Sequence, residues 1–192
     1  MALSGAFTAD AAVTSAVARY SRTAIALHWL LAAALLAELV LGWWMQDVPK
    51  SPPGVRAGWY NVHKSIGITI ALLVAARLIW RASHPLADDG HASPWQHAAA
   101  QAAHGMLYAC MLLMPVTGFL GSVFTRYPIR LFGVVLALPH VDWPAGKQLM
   151  ADAHLASANV FAALIAVHVL AALWHWLQRD GVTARMGIPS LR

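Results

Sequence analysis

Hydrophobic residues fall into four long stretches of the chain, at about residues 24–44, 59–80, 98–121 and 153–177. A membrane-spanning helix needs about 20 mostly apolar residues to cross roughly 30 Å of hydrocarbon, and each stretch is long enough. The helices of a soluble bundle, which is the alternative, are usually shorter and carry charges on their outward face. Here whole turns consist of Ala, Leu, Val and Ile on every face. The pattern therefore predicts an all-α fold, an integral membrane four-helix bundle.

The composition agrees with a membrane location. Of the 192 residues, 59% are hydrophobic and 11% are charged, and the mean hydropathy is +0.58. So few charges cannot cover the surface of a small soluble protein, and the apolar content argues against disorder. The single cysteine, Cys110, excludes an internal disulfide, a Cys-rich zinc module and a Cys-ligated iron–sulfur cluster. We expect one transmembrane domain over residues 1–192, with an N-terminal tail at 1–18.

Lys and Arg residues near the ends of the spans predict the orientation of the chain. With the N-terminus inside, the inner face carries Arg19, Arg22, Arg77, Arg81, Arg179, Arg185 and Arg192. The outer face then carries Lys50, Arg56, Lys64, Arg126, Arg130 and Lys147. The small excess inside favours cytoplasmic N- and C-termini. The longest connection, residues 124–146, would lie outside, where we expect it to fold over the membrane face.

Six of the ten histidines lie inside the predicted spans: His28, His63, His104, His154, His168 and His175. An ionisable residue in hydrocarbon is costly, so each is expected to face the bundle interior in a functional or paired role. The three histidines of the fourth helix share one face, because 7 and 14 residues are close to whole turns.

Depth in the membrane suggests two cross-bundle pairs. His63 matches His154 near the outer face, and His28 matches His168 or His175 near the inner face. From His154 the helix rises about 21 Å to His168 and about 31 Å to His175. The longer rise would place the two pairs at opposite headgroup levels of a core roughly 30 Å thick, so we prefer His168.

A pair of histidines inside an apolar bundle suits haem better than zinc. Zinc takes four protein ligands, or three plus water, and no matching set of Cys, Asp or Glu lies at either depth. Haem needs two protein ligands, and two imidazoles leave no open position on the iron, which favours electron transfer. We therefore expect two haem groups. Candidate donors for their propionates are Arg19, Arg22, Arg77 and Lys64.

Several segments, in order, resemble the bacterial cytochrome b561 family of four-helix dihaem b-type membrane cytochromes. They are residues 20–29, 63–67, 77–81, 104–108, 115–118 and 132–133, then His154, His168, His175, 179–181 and 185–186. The resemblance implies two haem b (iron) groups, one ligated by His28 and His168 and the other by His63 and His154. It also implies a location in the bacterial inner membrane. Some members are superoxide oxidases that reduce ubiquinone, and others are cytochrome b electron-transfer subunits for a dehydrogenase or a hydrogenase.

Basic residues favour the superoxide oxidase among these alternatives. Arg126, Arg130 and Lys147 lie on the long outer loop, with Arg56 and Lys64 nearby, and a basic surface attracts a small anion. On the inner side, His175 is expected to protonate ubiquinone, beside Trp29 and, with less support, Arg77. The expected partners are superoxide, ubiquinone and membrane lipid, with a partner redox protein in the alternative, and no nucleic acid. A structural anchor without cofactor is a third class.

Two further ionisable residues within the spans have roles that the sequence leaves open. Glu38 is expected to pair with a loop cation or to shuttle protons, and the pairing is favoured. His104 is expected to be structural or to support a haem ligand.

Overall fold

Four long helices make up most of the molecule. The computed structural model describes residues 20–85 and 94–189. The helices are α1 (Arg22–Asp47), α2 (Val55–Ser83), α3 (Pro94–Val123) and α4 (Pro144–Gln178), followed by a short 3-10 helix at Thr183–Met186. All four are long and apolar enough to span a membrane, which confirms the predicted all-α membrane bundle. Arg19 and Arg192, predicted at the inner face, lie outside the described residues.

The helices extend beyond the apolar stretches that predicted them. Helix α4 begins at Pro144, well before residue 153, because proline fits the first turn of a helix, where its missing N–H is not needed. The loop expected at 124–146 is shorter for the same reason. Hydropathy locates the part of a helix that meets lipid, whereas the residues of its first turn decide where α4 begins.

Apolar side chains point outward as well as inward. Val40, Leu72 and Ile79 are 64%, 69% and 70% exposed on the outside of the bundle. Such surfaces suit a hydrocarbon surrounding, as the predicted spans require. The buried core lies at mid-bundle, where Leu31, Leu39, Ile70, Val74, Cys110, Met111, Ala158 and Phe161 pack together.

The connection between α3 and α4 contains a small hairpin that folds back onto α2. Strand β1 (Arg130–Leu131) pairs antiparallel with β2 (Val134–Val135). Their turn needs left-handed backbone at Phe132 (φ 47°) and Gly133 (φ 90°). The buried Ser65 hydroxyl accepts a hydrogen bond from the Phe132 N–H at 2.9 Å and donates to the Asn61 carbonyl at 2.7 Å. The loop therefore covers one end of the bundle, which we call the loop end.

The opposite end, here the terminal end, brings the chain's two described ends together. Helix α4 stops at Arg179, which is left-handed (φ 58°), and the chain turns back through the 3-10 helix. The Trp29 indole N–H donates to the Met186 carbonyl at 3.1 Å. These contacts close the bundle on the side of His28 and His168.

Candidate functional site

Two histidine pairs lie inside the bundle, one near each end. At the loop end, the rings of His63 (α2) and His154 (α4) have centroids 6.1 Å apart. At the terminal end, the rings of His28 (α1) and His168 (α4) have centroids 6.3 Å apart. The structure thus brings together the four histidines that depth and spacing paired.

The spacing within each pair matches two imidazoles on either side of one metal ion. Metal–nitrogen bonds of about 2 Å, with roughly 1.2 Å from each nitrogen to its ring centre, put the centroids roughly 6.4 Å apart. Among the described residues, no group of three or more His, Cys, Asp or Glu side chains is placed to hold a metal ion. The geometry therefore suits an ion that takes its remaining ligands from a cofactor.

Glycines leave room for the rings at the loop-end pair. A Cβ atom on Gly42 (α1) would lie 3.2 Å from Cε1 of His63. A Cβ atom on Gly118 (α3) would lie 3.1 Å from Cε1 of His154. Both distances are tighter than ordinary contacts, so any larger residue at either position would displace a histidine ring.

Both loop-end histidines have an acceptor beside Nδ1. His154 Nδ1 lies 3.0 Å from the Met114 carbonyl and 3.1 Å from the Thr117 hydroxyl. His63 Nδ1 lies 2.9 Å from Oε1 of Glu38. A histidine that binds a metal through Nε2 typically donates its Nδ1–H to such an acceptor. The environment of the loop-end pair therefore favours the tautomer that leaves Nε2 available.

Among the described residues Glu38 does not pair with a loop cation, which corrects the sequence-based expectation. It faces His63 instead, because Glu38 follows the buried Leu31 by seven residues and so continues the inward stripe of α1. The seven-residue spacing from Leu31 is the sequence feature that indicates an inward-facing acid. The contact between Glu38 and His63, and the glycines beside the histidine rings, were not predicted from the sequence.

The terminal-end pair has a different neighbourhood. Arg77 places Nη2 at 3.2 Å from Nδ1 of His28 and donates from Nη1 to the Ala24 carbonyl at 3.3 Å. His104 lies beside the pair, with its ring centroid 5.6 Å from that of His168. An Nδ1 that accepts from Arg77 leaves the proton on Nε2, so His28 can bind a metal through Nε2 only after Arg77 releases it.

The cavity that Arg77 lines does not include the other two residues predicted for quinone. Arg77 lines a cavity of about 200 Å³ with Trp80, Arg81 and Met186, whereas Trp29 and His175 are outside its lining. Trp29 is 47% exposed on the bundle surface. His175 Nδ1 lies 2.5 Å from Oδ2 of Asp180, at the end of α4.

The predicted basic surface lies at the loop end, but only three of its five residues are exposed, since Arg56 and Lys64 are half-buried. Arg126, Arg130 and Lys147 are exposed, and the Arg126 guanidinium lies 5.7 Å from the centre of the Tyr127 ring. Arg56 instead donates to the carbonyls of Gln46 and Val48, and so holds the end of α1. The exposed positive charges of this surface therefore lie on the α3–α4 connection and at the start of α4.

Comparison with known proteins extends over nearly the whole chain. The family model described as Prokaryotic cytochrome b561 matches residues 19–187. The chain belongs to the prokaryotic cytochrome b561 family. It is 30% identical to "Cytochrome b561 homolog 2" of Escherichia coli K12 over 181 residues, which are 90% of this chain and 93% of the relative. It is 26% identical to "Probable superoxide oxidase CybB" of Yersinia pestis over 175 residues, which are 88% of this chain and 95% of that relative.

Family membership confirms the resemblance and gives the coarse function. As a member of the cytochrome b561 family, the chain is a haem-binding electron-transport protein of a bacterial membrane, with several membrane crossings. A second Escherichia coli relative, "Cytochrome b561 homolog 1", is 30% identical over 88% of this chain and 96% of its own length.

Proposed function

We propose that the chain holds two haem b groups, one between His63 and His154 and one between His28 and His168. The centroid distances of 6.1 and 6.3 Å carry this proposal, because both match two imidazoles on one iron. When bound, haem b supplies reversible one-electron chemistry, and two protein ligands leave its iron without an open position. At the terminal end, Arg77 would leave His28 and become free to pair with a propionate.

The proposed reaction is superoxide:ubiquinone oxidoreduction across the inner membrane. Two superoxide anions each lose one electron to give two molecules of dioxygen. Ubiquinone gains the two electrons and two protons to give ubiquinol. The loop end would face the periplasm, where Arg126, Arg130 and Lys147 would concentrate the anion, and both termini would be cytoplasmic.

At the terminal end, His175 is proposed to donate one of the two protons that ubiquinone takes up, and to be reprotonated from the cytoplasmic side. Oδ2 of Asp180 lies 2.5 Å from Nδ1 of His175 and holds the imidazole in place at the end of α4. Trp29 would flank the quinone ring, and Arg77 would border the site from the 200 Å³ cavity. This arrangement keeps quinone chemistry away from the superoxide side.

The runner-up is a cytochrome b subunit that exchanges electrons with a partner redox protein. The hairpin favours it, because Tyr127, Phe132 and Val134 are 65%, 68% and 67% exposed at the loop end. Exposed apolar residues of this kind are typical of protein-docking surfaces.

The decisive experiment measures haem per chain in the purified protein and in single variants. We expect two haems in the wild type and one in His154→Ala or His168→Ala. His97→Ala, which changes a histidine outside both pairs, is the matched control and should retain two. A colourless wild type, or full haem content in both ligand variants, would contradict the ligand assignment.

A second measurement separates the two functions. Stopped-flow addition of superoxide should reduce the haem absorbance of the isolated protein, and ubiquinone should reoxidise it. If superoxide has no effect in the absence of a partner protein, the subunit role is favoured instead.

A further inference from the structure

Glu38 is the only acidic residue within the four apolar stretches from which the spans were predicted. Its side chain is 11% exposed, and that of His63 is 16% exposed. A carboxylate at this depth is expensive unless a partner compensates for its charge. We therefore expect a neighbouring side chain to compensate for the charge of Glu38.

His63 is the partner that the structure provides. Oε1 of Glu38 lies 2.9 Å from Nδ1 of His63 and also faces Gly67 on α2, where a Cβ would make an ordinary contact with it at 3.4 Å. The contact does not meet hydrogen-bond geometry, so both Glu38 oxygens and Nδ1 of His63 are buried without a hydrogen-bond partner in the described chain. Nothing else there competes for either group.

Within residues 20–85 and 94–189, no carboxylate contacts Nδ1 of the other three proposed ligands. His154 faces the neutral Met114 carbonyl, and His28 faces the Arg77 guanidinium. A negative acceptor on the Nδ1–H makes an imidazole a stronger electron donor to its metal, and so favours the oxidised ion. Among the proposed ligands in the described chain, His63 therefore differs from the rest in having a carboxylate beside Nδ1.

We propose that Glu38 is a positioning residue for His63 that selectively lowers the midpoint potential of the loop-end haem. The inference rests on the proposed haem ligation by His63. Glu38 accepts the Nδ1–H, which directs Nε2 towards the iron, and its charge stabilises the ferric state. A lower potential at the loop end than at the terminal end gives electrons a downhill direction towards the termini.

The test is a potentiometric titration of the purified holoprotein, followed by haem absorbance. In Glu38→Gln, which keeps the shape but removes the charge, one component should shift to higher potential while the other stays in place. The shifted component should be the one that His154→Ala lacks. Asp152→Asn is the matched control, because it removes an exposed carboxylate at the same end without touching either histidine, and both components should stay in place.

Two results of the titration would overturn the inference. Unchanged potentials in Glu38→Gln would make Glu38 a packing residue, and equal shifts of both components would mean that it does not act through His63. If Glu38→Gln does not assemble, Glu38→Asp keeps the charge, and the low-spin ferric resonance of the loop-end haem should then move while the other is unchanged. If neither resonance moves, the inference also fails. Absence of haem from the wild type would instead reject the proposed ligation.

Discussion

Small residues beside the loop-end histidines limit which rotamers the rings can adopt. Gly118 approaches His154 from α3 while the Met114 carbonyl holds the same ring at Nδ1. The ring is therefore fixed on two sides and cannot easily move away from an added atom. Gly42 has the corresponding position beside His63.

Gly118→Ala should therefore release the loop-end haem. The new Cβ would lie 3.1 Å from Cε1 and 3.3 Å from Nδ1 of His154, so the ring must turn and lose its hydrogen bond. We expect haem content to fall from two towards one per chain, measured by the pyridine haemochrome spectrum.

Gly105→Ala on the same helix provides the control for that substitution. A Cβ there would meet nothing within 4 Å, and alanine is the better helix former by about 1 kcal/mol. It should retain both haems. Equal haem content in the two variants would show that the approach of Gly118 does not constrain His154.

At the scale of elements, α2 carries both a proposed ligand and the anchor of the hairpin. Ser65 lies two residues after His63, is 1% exposed, and bonds the Phe132 N–H. The helix that positions one histidine thus also positions the loop that bears Arg130. Movement of that loop would therefore disturb the part of α2 that carries His63, the proposed haem ligand.

Ser65→Ala should loosen the hairpin without unfolding the bundle. It leaves the Phe132 N–H without its partner, at a local cost of about 1–3 kcal/mol. Amide hydrogen exchange in residues 124–143 should rise several-fold, while the helices keep their protection. Ser83→Ala is the control, since the Ser83 hydroxyl is exposed and bonds carbonyls of its own helix. Unchanged exchange in Ser65→Ala would mean that other contacts hold the loop.

Features that depend on contacts between residues distant in the sequence were harder to predict than the helices. Hydropathy over some 20 residues predicted each helix, because the membrane itself selects for that length. The hairpin depends on the left-handed backbone of Phe132, which a non-glycine residue adopts rarely, and on a hydroxyl 67 residues away. The prediction that Glu38 pairs with a loop cation was wrong, because helical register places the Glu38 side chain against His63.

At the scale of the whole molecule, the two proposed substrates meet opposite ends of the bundle. The buried core around Phe161 separates the histidine pairs, with Phe161 seven residues from both His154 and His168 on α4. Chemistry at one end should therefore be changeable without affecting the other.

Substitutions at the two ends should slow different half-reactions. Arg126→Gln with Arg130→Gln should lower the rate of haem reduction by superoxide several-fold at low salt, and the difference should shrink at high salt because ions screen exposed charges. Reoxidation by ubiquinone should be unchanged.

His175→Asn should leave haem reduction by superoxide unchanged and slow reoxidation by ubiquinone by roughly 10², if the imidazole acts as the acid. Arg179→Asn, which removes a terminal-end charge at a left-handed position, controls for net charge in the superoxide step. If the arginine variants and His175→Asn slow the same half-reaction, the two substrates do not enter from opposite faces, and the vectorial reaction is wrong even with both haems in place.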